Sequence, residues 1–405
     1  MAALLGTWAA TRLVLLLCVF GVWTVPGPDV TSDVWAIYRG WYEVLRHGTF
    51  PLDDVTWQYP PVAALAVLSP AVLPFLGYAA AFYVLAFLAD LVVLCLLLYT
   101  GLRPGRSLRG AWVWVAGAAL LGPTVYARYD VMVTAVAVAA LLAAARHPRL
   151  AGALAGFGAM LKVWPVLLLA GVFGTARRRT WTAAVVTAAA LGLLFALVMP
   201  GALAFLAFQR ERGTEVESLG ALVFHVARHF GWSGQVLLNY GSMEFLGPYV
   251  GTVSTAALVL TGAAFGWLLL WRLRARRFLP HTLADAAFTA VLCFTTTSRV
   301  ISPQYLVWLV GLGAVRLSHR DTGMRLPAGL VLAAAFATVL EFPVFFVDVV
   351  MSDRLGVALL FVRNGLLVAA TVAAARELWR STAAPAAPVS LPDQATGPRQ
   401  ASAPS

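Results

Sequence analysis

Residues 77–99 read GYAAAFYVLAFLADLVVLCLLLY. A run of this length and apolarity crosses the roughly 30 Å hydrocarbon core of a bilayer as one helix. Comparable runs recur near 8–25, 111–126, 129–145, 150–174, 180–199, 249–271, 281–297, 303–317, 327–347 and 355–376. The whole chain of 405 residues is 61% hydrophobic and only 12% charged, with a mean hydropathy of +0.82. Soluble domains are about half apolar and about a quarter charged. A soluble enzyme, a disordered chain and a disulfide scaffold are therefore excluded. A β-barrel needs short alternating strands, which this sequence lacks. The expectation is an all-α, polytopic membrane protein over residues 1–380, followed by a disordered cytoplasmic tail of Ala, Pro and Ser over 381–405.

The net charge of +11 comes from 29 basic and 18 acidic residues. The basic residues cluster in short loops between apolar runs, where they set orientation rather than bind nucleic acid. Arg103, Arg106 and Arg109 form one cluster, Arg146 and Arg149 another, and Arg177 to Arg179 a third. Further clusters surround Arg272 to Arg277 and Arg316 to Arg325. Placing all of them in the cytoplasm predicts about twelve crossings, with both termini cytoplasmic. It also requires 150–174 to turn back on itself at Lys162-Val163-Trp164-Pro165, and 60–75 not to cross alone. The rival topology lets each of these two segments cross once, and strands five Arg outside. On the first topology twelve of the 18 acids fall outside, among them Asp33, Asp130, Glu215, Glu217 and Glu244. The three cysteines, Cys18, Cys95 and Cys293, lie in apolar runs and offer neither a disulfide framework nor a metal knuckle.

The first outer loop carries apolar and aromatic residues at 34, 37, 38, 41, 44 and 45, the spacing of an amphipathic helix lying in the interface. Asp33 stands at its start. It reads either as a cap for free N–H groups or as a surface carboxylate able to take a proton from a hydroxyl. Trp57 to Pro61 reads as a stiff lead into the next helix, with its aromatics in the interfacial belt. Arg128-Tyr129-Asp130 reads as a turn ion pair, or as a cation facing the same outer cavity as Asp33. Lys162 is the only Lys among the 29 cations and lies between apolar runs, which favours a phosphate ligand over a snorkelling side chain. His225 and His229 have the i, i+4 spacing of a zinc pair but lack a third ligand, so no metal site is assigned; a divalent cation held by acids such as Asp53-Asp54 stays open. Arg363 lies inside the last run, with Glu341 as a partner.

Seven motifs occur in order: Asp33-x-x-x-x-Tyr38, Tyr59-Pro60-Pro61, Arg128-Tyr129-Asp130, Lys162-x-x-Pro165, Arg212-Gly213-x-x-x-Glu217-Ser218, Ser302-Pro303-Gln304-Tyr305 and Arg363-Asn364. Together they resemble family 87 glycosyltransferases of the GT-C fold, a family that includes actinobacterial mannosyltransferases using polyprenyl-phosphate-mannose. The resemblance implies a membrane-embedded sugar transferase with its site on the extracytoplasmic face, a polyprenyl-phosphate sugar donor and a glycolipid or glycan acceptor; no cofactor is expected, with a divalent cation left open. It implies that Asp33 is the catalytic acidic residue. Lys162, Arg212 and Arg299 would meet the departing phosphate, and Tyr38, Tyr59, Arg128, Asp130, Glu217, Gln304 and Tyr305 would bind substrate. Rival readings are a flippase or transporter of a lipid-linked sugar, a GT-C enzyme using an arabinofuranosyl donor, and a structural membrane subunit. Transporters commonly carry internal repeats, which this sequence does not show.

Overall fold

A computed structural model of the chain describes residues 1–207 and 212–383. Helix α1 (Ala2–Val19) leads to an outer loop in which a π-helical turn, Asp33–Tyr38, runs directly into α2 (Arg39–Leu45). Helix α3 (Ala63–Leu68) and a 3-10 turn over Ser69–Val72 are together too short to cross a bilayer. Then come α4 (Tyr78–Gly101), α5 (Arg109–Leu120), α6 (Asp130–Ala143), α7 (Pro148–Leu161), a 3-10 segment over Trp164–Gly171, and α8 (Ala176–Val198). The loop after α8 holds β1 (Thr214–Glu215), α9 (Ala221–Arg228), β2 (Gln235–Asn239) and β3 (Ser242–Leu246). The chain closes with α10 (Val250–Arg274), α11 (Thr282–Thr297), α12 (Tyr305–Leu317), α13 (Arg325–Val339), α14 (Phe346–Met351) and α15 (Arg354–Thr382).

Among the described residues, six helices are long and apolar enough to cross a membrane: α1, α4, α8, α10, α13 with its π-helical extension to Val344, and α15. The protein is a multi-pass membrane protein. Length alone does not give the expected count of about twelve crossings, because α6, α11 and α12 are shorter apolar helices of 14, 16 and 13 residues. A 3-10 turn at Gly122–Val125 precedes α6, and the non-helical stretch 298–304 separates α11 from α12. The expected all-α class also needs amending. Strands β1, β3 and β2 form an antiparallel sheet in that order, paired Thr214 to Phe245 and Leu237 to Glu244. The β2–β3 hairpin turns on Tyr240 and Gly241, whose φ values of 46° and 78° give the two positive angles that a tight two-residue hairpin needs. Helix α1 starts six residues before the expected Trp8. The Ala-, Pro- and Ser-rich tail from 384, like Arg210 and Glu211, lies outside the described residues.

The first loop forms the amphipathic helix, with a deeper seat than an interfacial one. Val34, Tyr38, Trp41 and Leu45 are buried, and Tyr42 packs on Tyr78 of α4 at 5.1 Å between ring centres. Trp57 is likewise 1% exposed and packs against Trp41, so these aromatics are core rather than a headgroup belt. Asp54 ties the loop together, accepting Trp41 Nε1 at 2.8 Å and the Thr56 amide at 2.9 Å.

Helices α7 and α8 run parallel: a Cβ at Gly152 would overlap the carbonyl of Thr180, and one at Gly156 that of Ala184. The residues between them therefore bring the chain back to the end from which α7 started. Helix α7 rises about 21 Å; the 3-10 segment descends about 16 Å. The Gly-x-x-x-Gly pair lets the two backbones touch, as small residues do in membrane helix packing. Gly156→Leu is expected to lower stability by about 1–3 kcal/mol through overpacking, seen as a lower melting temperature of the purified protein; an unchanged melting temperature would contradict the contact.

Among the membrane helices, Arg12 and Asp90 form a buried pair, 2.9 Å apart. Val115 O accepts from Arg12, and Trp8 Nε1 and Tyr126 Oη donate to Asp90 at 3.0 and 3.1 Å. Arg316 pairs with Asp285 at the other end of the bundle.

Candidate active site

Asp33 lies in the first turn of the π-helical segment. Its side chain makes an ion pair with Arg128 at 2.9 Å and is 31% exposed. The cap reading of Asp33 thus gives way to a pairing across the loop. Arg128 sits in the tight link between the 3-10 turn Gly122–Val125 and α6. It is held by Val30 O at 2.9 Å and by Ala127 O at 2.7 Å, so its guanidinium keeps its place independently of Asp33.

Asp130 opens α6 and is 1% exposed. One of its oxygens accepts from Lys162 Nζ and from Trp308 Nε1, both at 2.7 Å. Lys162 adopts an extended backbone where α7 ends, so the break at Pro165 puts the ammonium at the tip of the hairpin. Its Nζ stands 5.1–5.5 Å from the ring centres of Tyr59, Tyr129, Tyr305 and Trp308. Four ring faces and one carboxylate replace the water that a buried ammonium loses. The cage is braced from behind: Tyr305 stacks on Trp308 at 4.1 Å, and Trp308 on Trp164 at 5.1 Å. Tyr38 meets the same group through Tyr129, 6.1 Å away.

Arg212 enters from the sheet. Ser242 Oγ accepts from it at 2.6 Å, and Glu244 lies 3.6 Å away. Glu244 is held in turn by the Gly213 amide and the Asn239 side chain. The Arg212 charge acts on Tyr59, Tyr305 and Lys162. Glu215 accepts from the Ile301 amide at 2.6 Å and from Ser302 Oγ at 3.0 Å, and its own amide donates to Arg299 O. It thereby fixes the segment that leads into Gln304 and Tyr305. Burial raises its carboxyl above the usual range against the pull of Arg212. Gln304 shares a narrow crevice with Asp130, Thr124 and Val307.

Arg299 and Glu217 stand further from Lys162 than the other expected residues. Arg299 contributes its main-chain oxygen to Glu215 and lies within reach of the Arg212 charge. Glu217 joins a second buried cluster, in which Arg363 forks onto Glu341 at 2.7 and 2.6 Å and stands 3.7 Å from Glu217. Burial and the neighbouring Glu341 and Glu215 push the Glu217 carboxyl well up. Asn364 donates to the main-chain oxygen of Glu217 at 3.3 Å. This cluster braces the loop from α15.

His225 uses one ring nitrogen on Val216 O and the other on Ser352 Oγ, both at 2.8 Å, which leaves no lone pair for zinc. Burial lowers its pKa to about 4, so the ring stays neutral. Among the described residues no three His, Cys, Asp or Glu side chains gather around a common point that could hold a metal.

Sequence reasoning missed Trp308, Trp164, Glu215 and Glu244. For Trp308 a signal existed, since Tyr305 and Trp308 are three apart on one helix face. The other three depend on contacts made across the fold.

None of the curated proteins matches the chain. Among solved structures, that of ArnT from Cupriavidus metallidurans bound to undecaprenyl phosphate is similar at 16% identity, covering 93% of this chain and 76% of that one with a TM-score of 0.46. The sequence model of glycosyltransferase family 87 matches residues 57–303, which hold Tyr59, Arg128, Asp130, Lys162, Arg212, Glu217 and Arg299 but not Asp33, and the chain belongs to that family.

Proposed function

We propose that this membrane glycosyltransferase moves mannose from a polyprenyl-phosphate donor to a hydroxyl of a glycolipid or glycan acceptor on the extracytoplasmic face, with inversion at the anomeric carbon. The observation that supports the reading is that a partly exposed carboxylate, Asp33, pairs with Arg128 while Lys162 and Arg212, from two further segments, lie close enough for the charges to act on one another and on Tyr59.

The lipid phosphate is a good leaving group, so the reaction needs no strong acid. It needs a base for the attacking hydroxyl and positive charge where the phosphate departs. Asp33 takes the acceptor proton. Arg128, Lys162 and Arg212 stabilise the phosphate charge as the glycosidic bond breaks, the electrostatic contribution that is usually largest. Asp130 acts through Lys162, holding the ammonium against the tyrosine rings. One base and direct attack convert a β-linked donor into an α-linked product, through an oxocarbenium-like transition state.

Purified protein with radiolabelled polyprenyl-phosphate-mannose is expected to pass label to an extracted glycolipid. Transfer only from an arabinofuranosyl donor would change the sugar. Movement of intact donor across liposomes without transfer would favour the flippase. The face is tested separately: in a background lacking the three native cysteines, Arg39→Cys in the exposed first loop should react with a membrane-impermeant maleimide from outside, and Arg177→Cys only after permeabilisation. Equal labelling of both from outside would overturn the orientation.

A further inference from the structure

The loop joining α4 to α5 and the loop joining α12 to α13 lie side by side at the end of the bundle opposite Lys162. Helix α4 packs on the first outer loop at Tyr78 and ends at Gly101; α12 begins at Tyr305 beside Lys162 and ends at Leu317. The two loops are stitched together. Ser107 donates its amide to Ser318 O at 3.0 Å, Arg320 Nε donates to Arg106 O at 2.9 Å, and the Arg106 side chain meets the His319 ring.

Between them lies a pocket of about 760 Å³ lined by Arg103, Arg106, Arg109, Arg320 and Arg325. No carboxylate is among its lining residues. Orientation in the membrane requires cations on this side, but not five of them converging on one hollow from two loops. Gathered guanidinium groups repel one another, and the planar fork of each suits a phosphate. The pocket continues into an apolar wall. Leu102 and Leu108 line it, Arg103 stacks on Tyr99 at 4.1 Å, and Leu102 and Leu326 are each 63% exposed on the outer faces of the helix ends. A hollow with a cationic floor and a greasy flank facing the bilayer matches a molecule that carries phosphate at one end and acyl chains at the other.

We propose that this pocket binds the headgroup of an anionic phospholipid from the leaflet opposite the active site, with its acyl chains lying along the exposed ends of α4 and α13. The site is separate from the sugar-transfer reading and stands without it. A second basic surface, about 690 Å³ beside Gly174 and Trp181, carries Arg177 and Arg178 from a single turn and serves as an internal control.

The test is native mass spectrometry of the full chain in detergent, with cardiolipin, phosphatidylglycerol and phosphatidylcholine added in equal amounts. The anionic lipids should be retained over phosphatidylcholine, and Arg103→Gln with Arg325→Gln should reduce that retention about tenfold. Arg177→Gln with Arg178→Gln should leave it unchanged. Melting temperature monitors folding, and the single Arg325→Gln, on an exposed side chain, should give a smaller loss in a folded protein if the double variant unfolds. Equal retention of all three lipids, unaltered binding by the folded Arg325→Gln variant, or displacement of cardiolipin by inorganic phosphate at matching concentration would each overturn the proposal. The last outcome would mark a site for free phosphate.

Discussion

Asp33→Asn is expected to slow sugar transfer by about 10²- to 10⁴-fold, the usual contribution of a positioned general base. The substitution keeps the size and shape of the side chain. The amide oxygen can still accept from Arg128, and Arg128 keeps its bonds to Val30 O and Ala127 O. The loss of a partly exposed ion pair should therefore cost stability only about 1 kcal/mol or less. What the amide cannot do is take the hydroxyl proton. Single-turnover rates beside melting temperatures separate these effects, and Asp33→Glu should recover part of the rate. A folded Asn variant that transfers sugar at the native rate would remove Asp33 from its role.

Lys162→Met should damage both stability and activity. It leaves Asp130 buried with Trp308 Nε1 as its remaining partner. Breaking a buried pair by removing one member costs about 3–5 kcal/mol, because the remaining charge has no counterpart. Adding Asp130→Leu removes that orphaned carboxylate, so the double variant should regain much of the melting temperature. Activity should stay lost in both, since neither restores an ammonium beside the leaving phosphate. If the stabilised double variant transfers sugar at the native rate, Lys162 is a packing element and the phosphate role falls to the arginines.

The apolar runs were legible because bilayer thickness fixes a length that a sequence can be measured against. Lys162 was legible because it interrupts such a run, and its hairpin because charge placement asked for one. Asp33 could be found, and Arg128 could be read as a cation facing the same cavity; their direct pairing depends on how the first loop folds back on the α5–α6 link. The sheet was hidden, since β1 has two residues and its partners lie 20 or more positions away along the chain. The motif drew attention to Glu217 and not to Glu215. Two residues of separation along a turn send one toward Ile301 and Ser302 and the other toward Arg363. Arg12 and Asp90 carried an unused signal, because a charge within an apolar helix demands a partner inside the bundle.

That last pair bears on how the chain enters the bilayer. Arg12 stands within α1, yet Asp90 emerges from the ribosome 78 residues later. An arginine at the centre of a solitary helix opposes insertion by about 2.5–3.5 kcal/mol. The first helix therefore carries that cost uncompensated until α4 has been made, and pairing with Asp90 offsets it once the two helices meet in the bundle.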